Sequence, residues 1–341
     1  MRTRYVTLDC LRIVCAFAII IIHVTSAALT YSAAPSAAAT VAMHLSTILM
    51  AWAVPCFFML TGFLMLGDDK PCTYGTIKKS LLKFFVALFL IGGFYALLEI
   101  VFNTRSVSLS TFSQAFCNIL TGKLWDHMWY VYAVIGVYLL LPLIKPFLSQ
   151  SKLQGDLVLF SISCFYTIVL PYISNFFNYQ IPIKFSLSGW IFYVILGGLV
   201  GKYKQYFLAR KKVVFVVSLS ILVCSTIAIV IKYTQKQSFG IVSYTSLSVF
   251  LTASAALLLS VIAKSPKPKY EGLLSQISAC CWGIYLIHPL FINLLIKAFK
   301  FNPIDFVWWI TIPLSCCALF VLCAFIIWIL RKIPLLRKFL F

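Results

Sequence analysis

The chain has 341 residues, of which 62% are apolar and 11% are Asp, Glu, Lys or Arg. Soluble domains contain roughly 45–50% apolar and about 25% charged residues, so the composition excludes a soluble globular protein. It predicts an all-α membrane protein with one membrane domain over residues 1–341. The net charge of +20 does not indicate a nucleic-acid partner, because lipid headgroups and membrane topology account for basic residues between apolar segments.

The first apolar segment, residues 6–29, is long enough to cross a bilayer, yet it contains Asp9, Arg12 and His23. A charged side chain at the membrane centre costs roughly 2.5–3.5 kcal/mol, so such residues usually face a protein interior or a watery cavity. Asp9 and Arg12 are three residues apart and can pair on a helix. His23 lies on nearly the same face as Arg12, about 16 Å further along. The segment therefore predicts a charged pair near one membrane surface and an imidazole toward the other.

Two other interpretations apply to this segment. A signal peptide is disfavoured, because its apolar core spans about 7–15 residues and is not interrupted by charges. The second interpretation is purely structural: a buried histidine bonded to a neighbouring hydroxyl, with a salt bridge at the helix end. Spacing alone does not separate this interpretation from a functional site.

Ten apolar segments predict ten membrane-spanning helices, since backbone groups in lipid must be satisfied internally. With a cytoplasmic N-terminus, 21 of the 28 Lys and Arg residues lie on the cytoplasmic side, as positive-inside sorting requires. Both termini are then cytoplasmic, and the long loop 103–127 lies outside. The sixth segment is short and rich in glycine. The segments cover residues 6–29, 44–66, 80–102, 128–148, 157–174, 186–201, 213–231, 244–263, 279–299 and 306–330.

The twelve cysteines do not indicate a disulfide framework or a metal site. Most lie in apolar segments, and no Cys-x-x-Cys pair or Cys/His spacing fits zinc. They are predicted to be small packing residues, and no metal site is predicted.

Four short motifs follow one another along the chain. They are Leu-Asp-x-Leu-Arg over residues 8–12 with His23 behind it, VPCFFMLTGFL over 54–64, MWYVYAVIGVYLLLPLI over 128–144, and WGIYLIHPL over 282–290. Together they resemble the motifs of acyltransferase family 3, the integral-membrane acyltransferases that O-acylate surface glycans. The chain is similar to the short bacterial members that acetylate enterobacterial common antigen and capsule.

Two departures from the family pattern concern the candidate site. Thr61 stands where the family usually has serine, which keeps the hydroxyl group. The loop before the third segment often carries arginines in the family, whereas this chain has Lys78, Lys79 and Lys83. Lysine binds phosphate as a point charge without the bidentate geometry of arginine.

The resemblance implies that acetyl-CoA is the donor substrate and that no cofactor is permanently bound. The anionic end of the donor would bind at a basic cytoplasmic mouth, for which the candidates are Arg12, Lys78, Lys79 and Lys83. Asp9 is expected to hold Arg12 in place. His23 is the candidate general base, a role that suits a neutral imidazole near pH 7. Candidates for stabilising the oxyanion or relaying the acyl group are Thr61, Tyr130, Tyr132 and Tyr285.

The acceptor hydroxyl would enter from the outer side, where the candidate residues are Trp129, Trp282, His288 and His127. Each has a structural alternative. The tryptophans would serve equally as core or interfacial aromatics, and His288 as a packing residue. His127, like His44, is expected to be solvated at the outer end of a span.

These features predict a membrane O-acyltransferase of the bacterial inner membrane. It would move an acetyl group from cytoplasmic acetyl-CoA to a hydroxyl of an extracytoplasmic or lipid-linked surface polysaccharide, with membrane lipid, acyl-CoA and the glycan as partners. Direct transfer and an acyl-enzyme on His23, Tyr130 or Tyr132 are both open, as are succinyl transfer, the acceptor sugar and homo-oligomerisation. The alternative is a transporter or flippase. Such proteins often contain a pair of broken helices at corresponding positions, whereas here the sixth segment is interrupted by glycines and has no such partner, which argues against this alternative.

Overall fold

The computed structural model describes residues 5–68, 70–176, 189–236 and 243–341. Across these ranges the chain forms helices and no β-strand, which confirms the all-α prediction. The α-helices are α1 Val6–Tyr31, α2 Ala37–Met50, α3 Ala53–Leu66, α4 Tyr74–Ala87, α5 Gly93–Thr104, α6 Leu109–Thr121, α7 Trp129–Gln150, α8 Leu153–Cys164, α9 Leu170–Phe176, α10 Trp190–Lys202, α11 Lys204–Ala209, α12 Lys211–Lys236, α13 Leu247–Ile262, α14 Pro268–Asn293, α15 Trp308–Leu330 and α16 Pro334–Phe339.

Within the described ranges, eight continuous helical stretches are long and apolar enough to cross a membrane. They are Val6–Tyr31, Ala37–Leu66, Tyr74–Thr104, Asp126–Gln150, Leu153–Ser174, Lys211–Gln235, Pro268–Ala298 and Trp308–Leu330. The sixth and eighth predicted spans correspond to α10 and α13, which have 13 and 16 residues. Residues 186–188 of the sixth predicted span lie outside the described residues. The protein is therefore a multi-pass, all-α membrane protein, and the count of ten spans stays a prediction.

Two predicted outer loops contain helical structure. The loop drawn over residues 30–43 holds the first turns of α2, which begins at Ala37 after an N-cap hydrogen bond to Ser36. The loop drawn over 103–127 holds α6. Because α6 carries many polar residues between its apolar ones, hydropathy alone did not indicate it.

The close packing of α3 on α10 depends on glycine. A Cβ atom added to Gly62 would lie 1.9 Å from the main-chain oxygen of Val194, and one added to Gly197 would lie 2.0 Å from that of Met59. Small residues let membrane helices approach at backbone distance. The glycines within α10 thus form its contact surface with α3, and they do not interrupt the helix.

Helix α1 is central, since it packs against α2, α3, α13, α14 and α15. It runs parallel to α14: Ser278 lies beside Asp9 and Arg12 near one end, and His288 lies beside His23 further along both helices. This pairing places polar groups of two helices at two levels of the membrane.

Candidate active site

The Asp9–Arg12 ion pair forms as the helical spacing predicts. The Nη1 atom of Arg12 lies 3.1 Å from Oδ1 of Asp9, and the Asp9 residue is only 6% exposed. The Ser278 hydroxyl completes the group, because it accepts a hydrogen bond from Arg12 at 2.9 Å and donates one to Asp9 at 2.6 Å. Sequence reasoning missed Ser278, since the parallel packing of α1 and α14 has no local signal.

A single cavity of about 860 Å³ connects this group to His23. At the end nearest Arg12 it is lined by Tyr5, Lys79 and Lys204, and at the other end by His23 and Trp129, among other residues. Clefts of roughly 300–1,000 Å³ are typical of small-molecule sites. Arg12 and His23 therefore face one shared space, as their common helix face predicts.

Three imidazole rings cluster around the far end of this cavity, which His23 and His127 line while His288 lies behind them. The His23 ring centroid lies 5.0 Å from that of His288 and 6.4 Å from that of His127, and these two are 5.9 Å apart. His288 is fully buried and His127 is 4% exposed. The expectation that His127 is solvated was wrong: the Tyr285 hydroxyl donates to its main-chain oxygen and holds it inside the bundle.

The proton positions on His288 follow from its partners. Its Nδ1 lies 2.8 Å from the carbonyl oxygen of Tyr285 and 3.1 Å from that of Ile284. Carbonyl oxygens only accept, so Nδ1 carries the proton, and Nε2 of the neutral ring carries a lone pair. The buried Nε2 atoms of His127 and His288 have no hydrogen-bond partner within the described part of the chain.

Three of the four oxyanion or relay candidates line the cavity: Thr61, Tyr130 and Tyr285. Thr61 donates its proton to the carbonyl of Phe57 at 3.0 Å. Tyr132 was wrongly placed in this group. Its hydroxyl donates to the carbonyl of Ile119 at 2.5 Å, because residues two positions apart on a helix point to different faces, and Tyr130 takes the inner one.

The two candidate tryptophans lie at different levels. Trp129 lines the cavity at the His23 end, is 37% exposed, and stacks on Trp190 at 4.9 Å. Trp282 also lines the cavity, but one helical turn from Ser278, and its indole N–H donates to the carbonyl of Leu340 at 3.1 Å. Trp282 therefore belongs to the Arg12 half, not to the acceptor side.

Of the three predicted donor lysines, only Lys79 lines the cavity. Lys78 is exposed outside it. The Lys83 ammonium donates to the main-chain oxygens of Phe341 at 2.6 Å and Arg337 at 3.3 Å, so it fastens α4 to the segment around α16 and does not reach the cavity. The prediction placed all three on one surface. Helical rotation turns Lys78 away from Lys79, and the bonds to Arg337 and Phe341 hold Lys83 away from the cavity.

Sequence reasoning missed Lys204, which lines the same end of the cavity. Its Nζ donates to the Tyr5 hydroxyl at 2.6 Å and lies 5.2 Å from the Tyr5 ring centroid. Positive-inside sorting accounts for the lysines between the sixth and seventh predicted spans, but it does not indicate that one of them reaches the cavity. Because α10 packs closely on α3, Lys204 lies at the cavity. A contact between helices that are far apart in sequence cannot be predicted from the local sequence.

Among the described residues, no set of three His, Cys, Asp or Glu side chains is arranged to hold a metal ion. The lining of the cavity itself offers the imidazole of His23, the hydroxyl of Tyr130 and the cations around Arg12. Such a set can bind an anionic ligand at one end and remove a proton at the other.

Comparison with known proteins gives one match. No curated protein and no solved structure matches the chain. The sequence model of acyltransferase family 3, described as an acyltransferase domain, matches residues 5–330. This range includes the whole of α1, α3, α7 and α14, and therefore Asp9, Arg12, His23 and most of the cavity. The chain thus belongs to acyltransferase family 3 and is a membrane acyltransferase.

Proposed function

We propose that this membrane acyltransferase moves an acetyl group from cytoplasmic acetyl-CoA to a hydroxyl of an extracytoplasmic or lipid-linked surface polysaccharide, in the bacterial inner membrane. One observation carries the proposal: a single cavity joins the cationic residues around Arg12 to the imidazole of His23. This arrangement lets an anionic donor and a neutral alcohol reach one another from opposite ends.

The donor end combines paired and unpaired cations. Arg12 is paired with Asp9, and Lys70 lies 3.4 Å from Asp68. Lys79 and Lys204 form no ion pair with a described carboxylate. The excess positive charge would attract the phosphates of coenzyme A, while its uncharged pantetheine arm extends along the cavity toward His23.

In the proposed reaction, His23 accepts the proton of the acceptor hydroxyl as the hydroxyl oxygen attacks the thioester carbonyl. The carbon–sulfur bond then breaks, the sulfur takes that proton, and the ester and free coenzyme A leave. His288 would position the base: its ring centroid lies 5.0 Å from that of His23, and its buried Nε2, which has no partner among the described residues, would accept an N–H of His23 when the two rings turn toward each other. The other His23 nitrogen is then available to the acceptor.

The acceptor would enter at the Trp129 end, where a partly exposed indole faces the cavity. A covalent route would instead place the acetyl group on His23 or Tyr130 before the acceptor arrives. Tyr130 lines the cavity, with its ring 5.2 Å from that of Tyr285. Mass spectrometry of the protein after incubation with acetyl-CoA alone distinguishes this route from direct transfer.

The test uses the purified full chain in nanodiscs with acetyl-CoA and a glycan acceptor. His23→Ala should lower coenzyme A release and acceptor acetylation by about 10²–10⁴-fold, the usual contribution of a general base. His44→Ala is the matched control, because the His44 imidazole bonds the Tyr233 hydroxyl at 3.0 Å and does not line the cavity. Full activity of His23→Ala would exclude this base. Glycan uptake into sealed proteoliposomes containing the same chain, without coenzyme A release, would favour a transporter.

A further inference from the structure

A second cavity lies on the opposite side of α1, away from the one described above. It has a volume of about 690 Å³ and opens laterally between α1, the α2–α3 junction, α12 and α13. Its wall on α1 includes Cys10, Leu11 and Val14, and the wall on α13 runs from Thr252 to Ser260. We call it the lateral groove.

The interior of the lateral groove is apolar in effect. Its hydroxyl-bearing residues on α13 use their protons within the helix: Thr252 donates to the carbonyl of Ser248 at 2.7 Å, and Ser260 to that of Ala256 at 2.9 Å. Among the described lining residues, Lys264 is the one with a charged side chain. The groove is therefore an apolar channel with a single cation at its rim.

The dimensions of the lateral groove correspond to one membrane leaflet. From Thr252 to the end of α13 at Ile262, ten residues of helix rise about 15 Å, and half of a hydrocarbon core about 30 Å thick is also about 15 Å. Thr7 lines the same end as Lys264, near Asp9 and the donor end of the site. A transmembrane partner helix would need a surface across both leaflets, whereas a lipid chain needs only one.

We propose that the lateral groove binds an acyl chain of an anionic phospholipid, with the Lys264 ammonium against the headgroup phosphate. An apolar channel of one-leaflet depth takes the chain, and the cation at its rim selects the headgroup charge. The bound lipid packs on the face of α1 opposite Arg12 and fills the space that the protein leaves between α1 and α12.

The test measures the lipids that stay bound when the full chain is extracted from nanodiscs containing equal phosphatidylglycerol and phosphatidylcholine. Native mass spectrometry should show preferential retention of phosphatidylglycerol by the wild type. Lys264→Gln should lower the ratio of the two retained lipids about fivefold, the effect of one lysine near anionic lipid. Lys269→Gln should leave the ratio unchanged, because Lys269 lies over the Tyr270 ring and does not line the groove.

A second variant tests the apolar channel. Ala256→Phe fills the groove and should reduce the retention of both lipids, with helical content and monodispersity checked in the same sample. An unchanged lipid ratio in Lys264→Gln overturns the headgroup assignment. Unchanged retention in folded Ala256→Phe overturns the groove itself. Neither substitution touches the catalytic cavity, so both outcomes are independent of the proposed acyl transfer.

Discussion

At the scale of single residues, Arg12 illustrates how a charged side chain is kept inside a membrane helix. Taking an ion pair out of water is costly unless further hydrogen bonds satisfy both partners. Asp9 supplies the counter-charge, and the Ser278 hydroxyl bonds both side chains, at 2.9 Å and 2.6 Å. The guanidinium is therefore fixed by two helices while it still lines the cavity, as its proposed role in holding the donor requires.

Lys79 and Lys204, which form no ion pair with a described carboxylate, provide a direct test of the proposed coenzyme A binding. Lys79→Gln and Lys204→Gln should each raise KM for acetyl-CoA about tenfold with a smaller change in kcat, since a hydrogen bond to a charged group contributes roughly 1.5–3 kcal/mol. The measurement is the rate of coenzyme A release against acetyl-CoA concentration, at low and high salt. The effect should shrink as salt screens the charges.

Lys78→Gln is the matched control for Lys79→Gln, because these neighbours lie on the same helix and only Lys79 lines the cavity. We expect KM for Lys78→Gln within twofold of wild type, by the small effect of surface substitutions. Equal effects at both positions would mean that the donor responds to overall surface charge, and that the cavity end is not a specific phosphate site.

The residue-scale predictions succeeded where helix geometry alone decides the outcome. The pairing of Asp9 with Arg12, and the common face of Arg12 and His23, follow from 3.6 residues per turn. The placements of Lys83 and Trp282 failed because both bond to main-chain oxygens near the end of the chain. Such contacts join residues far apart in sequence, so no local pattern reports them.

At the scale of elements, the packing of α3 against α10 determines the shape of the site. The two backbones approach most closely at Gly62 and Gly197. Thr61, the neighbour of Gly62, lines the cavity from α3, and Lys204 follows directly after α10. A wider α3–α10 separation would move both residues and open the cavity wall between them.

Gly197→Ala tests this interface. The added Cβ would lie 2.0 Å from a main-chain oxygen, so the helices must separate, and we expect destabilisation at or above the roughly 1–3 kcal/mol typical of overpacking. Thermal denaturation in detergent is the measurement. Gly136→Ala in α7 is the control: its Cβ meets nothing within 4 Å, and alanine favours a helix by about 0.5–1 kcal/mol. Equal stability of both variants would contradict a tight interface.

Element boundaries were predictable where apolar runs are long. Eight of the ten predicted spans correspond to long apolar helices. In contrast, mean hydropathy does not detect α6, because polar residues separate its apolar ones. The spacing of Leu109, Phe112, Phe116 and Leu120 along one side is the pattern of an amphipathic helix. The glycines of the sixth predicted span indicate an interruption, whereas in the structure Gly197 and Gly198 of α10 lie at the contact with α3. Glycine content alone does not distinguish these two uses.

At the scale of the whole molecule, the direction of transfer depends on which membrane face each end of the cavity meets. The Arg12 end lies beside the loops that carry most of the lysines, and the His23 end lies beside the connections that carry few. Positive-inside sorting predicts that the lysine-rich face lies in the cytoplasm, where the proposed donor acetyl-CoA would enter. The predicted orientation and the proposed chemistry thus both require the Arg12 end of the cavity to face the cytoplasm.

Thiol labelling in intact cells tests the orientation. Cys117 is exposed on α6, so a membrane-impermeant maleimide should label the wild type from outside and should not label Cys117→Ser. The other exposed thiols, Cys224 and Cys317, lie in membrane-spanning helices, where a thiolate does not form readily. In the Cys117→Ser background, Ser265→Cys between α13 and α14 should react only after permeabilisation. Labelling of Ser265→Cys in intact cells would show that the orientation is opposite to the predicted one. The Arg12 end of the cavity would then face outward, and the donor could not enter it from the cytoplasm.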